Sequence, residues 1–188
     1  MLIAFFLGLG VGAHAMDETM GNPLKTRLSK TELYAIGFVS LTVSIGIGLY
    51  YVFELSLLLL PFVVAESFFA ITYNLETFQG RFHSMPVFVI SWGALPLLAA
   101  YFVNSLSLDI QVLMIAICAA ILTYVQRTLS LQARRFRRVR EEVESLRFSS
   151  GSEVPVSTHE LISPAEQSLK ALTAFTFLLA IALILFRI

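Results

Sequence analysis

The sequence predicts an all-α, polytopic transmembrane bundle of about six spans, and three observations carry that prediction. Of the 188 residues, 57% are hydrophobic and only 14% are charged, too little polar surface for a water-soluble domain of this length. The apolar residues gather into stretches close to the ~20 residues that a bilayer core requires. The basic residues fall in alternate loops, which gives the chain an orientation.

The first apolar segment, Leu2 to Ala15, is short for a span. A cleaved signal peptide would share its length and its small-residue end, Ala13-His14-Ala15. No Lys or Arg precedes it, however, and cleavage there would leave the basic loops outside. A tilted first helix, or a natural start upstream of Met1, accounts better for the shortness. Five longer stretches follow, roughly Leu33 to Phe53, Leu55 to Tyr73, Val87 to Val103, Ile110 to Val125 and Leu169 to Phe186. Glu54 and the pair Asn104/Ser105 mark tight turns between paired helices.

Placing the N-terminus outside puts Lys25, Arg27, Lys30, Arg81, Arg127, Arg134, Arg135, Arg137, Arg138, Arg140, Arg147 and Lys170 inside. Of the 13 Lys and Arg residues, that leaves only Arg187 outside. The outer turns carry little beyond Glu54 and Asp109. The chain reads as a multi-pass cell-membrane protein with its basic loops in the cytosol.

Residues 1–128 hold the first five helices. Leu129 to Phe148 is expected to extend as a cytosolic basic helix, because Phe136, Val139, Val143 and Leu146 recur at helical spacing. Five arginines, Arg134, Arg135, Arg137, Arg138 and Arg140, precede Glu141, Glu142 and Glu144. Such a helix would lie on anionic lipid or dock a partner subunit, or would serve only as a topological anchor. Residues 149–164, rich in Ser, Pro and Thr, read as a flexible linker, and 165–188 as the last span.

The net charge is zero, which gives no bulk attraction for nucleic acid. The single cysteine, Cys118, lies in an apolar run as a packing residue, and no zinc-finger, phosphate-loop or glycosylation pattern is present.

Three polar features stand out. His14, Asp17 and Glu18 end the first helix, with His14 about 60° from Asp17 and about 40° from Glu18 around the axis. An imidazole and two carboxylates on one face would hold a cation or position a general base, or would simply cap the helix at the interface. Glu66 lies inside the third span, where a carboxylate costs roughly 2.5–3.5 kcal/mol on insertion scales, so it must be protonated, paired or facing a polar cavity. Tyr73 falls nearly above it. The loop from Tyr73 through Glu76 and Arg81 to His83 returns to the face that carries His14 and Asp17. Glu76 and His83 would extend a metal shell there, and Arg81 would meet a phosphate or carboxylate. A solvated re-entry loop is the simpler alternative. Pro96 is expected to kink the fourth span, and Gly8, Gly10, Gly12, Gly37, Gly46, Gly48 and Gly93 to serve close packing.

His14-Ala-Met-Asp17-Glu18 followed by Asn22-Pro23-Leu24-Lys-Thr-Arg27-Leu-Ser29 resembles the UbiA superfamily of intramembrane prenyltransferases, as does Tyr73 followed by Ser91-Trp-Gly-Ala-Leu-Pro96 and Tyr101. The resemblance covers residues 1–103. It implies a cytosol-facing site in which Asp-rich motifs bind a divalent cation such as magnesium, which holds a polyprenyl diphosphate. His14 and Asp17 would occupy first-motif positions, with Arg27 and Arg81 as diphosphate contacts by analogy. His14 stands where the family has an acid and Asn22 where it has Arg. The second Asp motif is absent, since the only other aspartate is Asp109 on the outer side. Three functions follow as expectations: a non-catalytic subunit or lipid-binding protein on a UbiA-like scaffold, a divergent prenyl or lipid transferase completed by a second copy or a partner subunit, and a small transporter using Glu66.

Overall fold

A computed structural model describes residues 1–21, 26–137, 145–147 and 149–185. The described chain is helical apart from one short antiparallel strand pair. It divides into two compact units, Met1–Thr123 and Tyr124–Ile188, with the boundary inside a helix.

In the first unit, α1 spans residues 2–21 without a break, its middle Phe6–Gly12 wound as a π-helix. The Ala13 N–H reaches the Gly8 carbonyl, one residue beyond the α-helical partner. The short first apolar segment is thus the apolar part of a longer helix whose polar end holds His14, Asp17 and Glu18. Next comes α2, Lys30–Glu54, begun by a capping box in which Ser29 and Glu32 satisfy each other's backbone N–H. Helix α3 covers Leu57–Asn74 and starts with a 3₁₀ turn at Leu57–Leu59. Helix α4 is Met85–Ser105, and Leu106 in the left-handed conformation ends it. Helix α5 starts at Ile110 and continues as Ile110–Arg137.

Ahead of Pro96, helix α4 changes its winding. Having no N–H for the Trp92 carbonyl and a ring that crowds it, the proline follows a π-wound stretch, Ile90–Ala94. Gly93 lies against α5 there, and a Cβ at that position would stand 2.6 Å from Thr123 Oγ1 and 3.0 Å from the Ala119 carbonyl. Between α1 and α2 a similar close approach runs antiparallel. A Cβ on Gly8 would meet Ser44 Oγ at 2.6 Å, and one on Gly12 the Gly37 carbonyl at 3.4 Å. Small residues let the backbones approach, and van der Waals contact then replaces the hydrophobic drive that lipid surroundings remove.

Two apolar clusters hold opposite ends of this unit. Met16, Leu41 and Ala70, with Leu75 against them, join α1, α2 and α3 at the end where α1 and α3 finish. Val52, Leu59 and Phe102 join α2, α3 and α4 at the other end, with Phe62 and Phe102 rings 5.7 Å apart. The first pairing brings the polar end of α1 and the Glu76–His83 loop to the same end of the unit, as the sequence led us to expect.

Among the described residues, five helices are long and apolar enough to cross a membrane: α2, α3, α4, α5 and α6, the last being Thr158–Leu185. Their large side chains lie widely exposed, Phe53, Leu57, Phe177 and Leu178 among them, as suits surfaces that lipid covers. At ~1.5 Å per residue, α5 exceeds the ~30 Å hydrocarbon thickness, so its basic last turn reaches past an apolar core.

The second unit corrects two expectations. Residues 145–147, expected within the amphipathic extension, form β1, Ser145–Arg147, which pairs antiparallel with β2, Glu153–Pro155. Helix α5 runs unbroken through residues 129–137 of the extension, while Val139 and Val143 lie outside the described residues. Gly151, with φ at +86°, turns the chain between the strands, a conformation that suits glycine. The last helix begins at Thr158 rather than near 165, because Ser157 and Glu160 form a second capping box upstream. Pro164 is carried inside it. Within this unit the Arg137 guanidinium pairs with the Glu166 carboxylate.

Candidate functional site

The polar residues singled out from the sequence separate into three environments. At the end of α1, His14 is exposed, Asp17 half-buried and Glu18 only 3% exposed. The His14 ring turns back along its own helix, Nδ1 lying 3.1 Å from the Leu9 carbonyl in the π-wound stretch. Glu18 turns inward, and its Oε1 accepts the Thr26 N–H at 2.8 Å. One side chain meets solvent and the other ties down the chain that follows the helix. The two share a helix face by spacing, and each engages a backbone group of its own.

The loop from Tyr73 to His83 is closed by its own members. His83 Nδ1 lies 3.0 Å from the Tyr73 carbonyl at the C-terminus of α3, where carbonyls lack helical partners. The imidazole stacks on the buried Tyr73 ring at 4.4 Å, and Tyr73 also meets Phe88 and Trp92 at 5.5 and 5.1 Å. Glu76 Oε1 stands 3.8 Å from His83 Nδ1, and Arg81 is exposed on the same loop. Tyr73, Glu76 and His83 are therefore brought together around an aromatic group at a helix end. Glu76, Phe78 and Gln79 hold φ of +47°, +55° and +59°, which non-glycine residues rarely adopt. Among the described residues, no group of three or more His, Cys, Asp and Glu side chains could hold one metal ion.

Glu66 sits midway along α3 in a third environment. A cavity of about 50 Å³ lies between α1, α2 and α3, lined mainly by apolar side chains such as Phe5, Leu9, Leu41, Ile45, Phe62 and Val63. Glu66 lines it, and its buried Oε1 has no hydrogen-bond partner among the described residues. A buried polar atom left so costs about 1–3 kcal/mol and calls for an explanation. Two further polar side chains line the same space, Ser44 and Ser67. The Ser44 hydroxyl donates to the Ala4 carbonyl of α1 at 2.7 Å, and the Ser67 hydroxyl to the Val63 carbonyl at 2.6 Å.

Ser44 and Ser67 were not legible as site residues. A signal existed for Ser67, the residue after Glu66, and for Gly8 and Gly12, whose spacing of four faces α2. Ser44 becomes part of the site only through the antiparallel contact of α1 with α2, which no local pattern shows. No protein-family model, curated protein or solved structure matches this chain.

Proposed function

We propose that this is a non-catalytic, multi-pass protein of the cell membrane that holds an amphiphile of lipid class in the cavity between α1, α2 and α3. The helices would form a scaffold akin to that of UbiA-like proteins, with the N-terminus outside and the basic loops in the cytosol. The observation that carries the reading is an apolar cavity at membrane depth containing a buried carboxyl oxygen without a partner. Apolar walls with a few convergent polar groups are the usual make-up of a small-molecule site. An ionisable residue inside a span is by default a functional position.

The charge pattern supports the orientation. Arg27, Lys30 and Arg81 flank the ends of helices that meet around Met16 and Ala70, whereas Glu54 and Asp109 lie at the ends that meet around Val52 and Phe102. Arg134 and Arg135 in the last turn of α5 would then lie at the cytosolic surface, where anionic lipid is attracted. A transferase reading would use His14 and Asp17 as metal ligands. The engagement of His14 by the Leu9 carbonyl and of Glu18 by Thr26 favours a structural role for that helix end instead.

Native mass spectrometry of the purified protein tests the reading. Leu9 lines the cavity and is half-buried, so Leu9→Trp should fill the space with little change elsewhere. A retained amphiphile is expected on the wild-type protein and its loss is expected in Leu9→Trp. Wild-type protein that retains none, or equal retention by a folded Leu9→Trp variant, would overturn the proposal.

A further inference from the structure

The polar lining of the cavity has one chemical character. Three of its side chains carry hydrogen-bonding oxygen, and the hydroxyl hydrogens of two are already committed. Ser44 gives its hydrogen to the Ala4 carbonyl and Ser67 to the Val63 carbonyl, so each hydroxyl oxygen faces the site only as an acceptor. Glu66 as a carboxylate has acceptor oxygens alone, and Oε1 is unpartnered. Apart from Glu66 in its protonated form, no described side chain of the lining has a donor hydrogen left to give, and the other side chains of the wall are apolar.

We propose that the cavity takes the primary ammonium head of an amine amphiphile, with Glu66 as its charge partner and Ser44 and Ser67 as additional acceptors. A primary ammonium offers three donors and no acceptor, the complement of this lining. In apolar surroundings a bound cation and an ionised carboxylate strengthen each other, since little water screens the pair. A quaternary ammonium matches the charge and has no N–H to give. An alcohol has one donor and no charge. A bare metal cation would need six or more oxygen ligands if calcium-like, or a near-complete oxygen shell otherwise, and the apolar wall does not supply it. The apolar wall suits the alkyl chain that carries the head.

The inference rests on the reading of the cavity as an amphiphile site, and the test separates the two. Full-length protein in phosphatidylcholine nanodiscs is titrated with octylamine, octanol or octyltrimethylammonium, and bound adducts are counted by native mass spectrometry. One octylamine per chain is expected, at least tenfold tighter than either analogue. Glu66→Gln keeps the side-chain size, replaces one acceptor with an N–H donor and removes the charge, so the preference for octylamine should vanish in a variant whose melting temperature matches that of the wild type. Equal retention of all three compounds by the wild type would overturn the amine assignment and leave the amphiphile cavity standing. A preference that survives Glu66→Gln would also overturn it. Release of octylamine by sodium chloride but not by choline chloride would point to a bare-cation site and contradict the proposal. If none of the three compounds is retained, both this inference and the cavity reading fail.

Discussion

Glu18 and Glu66 lie in the same helical unit, both drawn in from its surface, yet their surroundings differ. Glu18 is at a helix end, nearly inaccessible, and its carboxylate accepts a backbone N–H from the chain that follows. Glu66 is midway along a span, and its buried oxygen faces a cavity with no partner among the described residues. A carboxyl that the fold satisfies has a structural reason to be where it is. One that the fold leaves unsatisfied at membrane depth lowers stability, and the proposed ligand would supply the reason. The difference separates scaffold from site in a chain whose polar residues are few.

The contrast can be broken by mutation, and the larger effect belongs to the satisfied carboxyl. Glu18→Ala removes a charge-assisted hydrogen bond and should cost about 2 kcal/mol. The expected readout is a clearly lowered melting temperature in detergent. An unchanged melting temperature would place Glu18 outside the structural role assigned to it. The smaller effect belongs to Glu66→Gln. Without ligand, this variant should differ from wild type by no more than about 0.5 kcal/mol or be slightly more stable, because no protein hydrogen bond to Oε1 is lost. A large destabilisation would mean that Glu66 is a packing or pairing residue after all.

The spans were the most legible part of the chain, because lipid demands long unbroken apolar runs and such runs are visible without tertiary knowledge. Helix α2 exceeds its expected bounds by only a few residues, since Ser29 and Glu32 add a capped polar turn in front of Leu33. The second unit was harder to read. Ser157 and Glu160 carry the same capping pattern, but the surrounding Ser, Thr and Pro made residues 149–164 look like linker. Strand β1 had no alternation long enough to announce it over Ser145–Arg147.

For the site, Glu66 could be found from its depth alone. For His14 and Glu18, spacing of four places Cβ atoms near one another, and no local pattern shows that one side chain also meets the Leu9 carbonyl and the other the Thr26 N–H. Tyr73 and His83 were read only as the two ends of one loop, and what joins them is ring stacking and a carbonyl at a helix end. Ser44 entered the site through contact with α1, forty residues away in sequence.

Infrared difference spectroscopy on addition of octylamine tests the central claim most directly, since it observes the carboxyl groups themselves. The account predicts a change in the carboxyl bands of wild-type protein, retained in Glu18→Gln and absent from Glu66→Gln. A wild-type spectrum unaltered by octylamine, or the same change in Glu66→Gln, would contradict it.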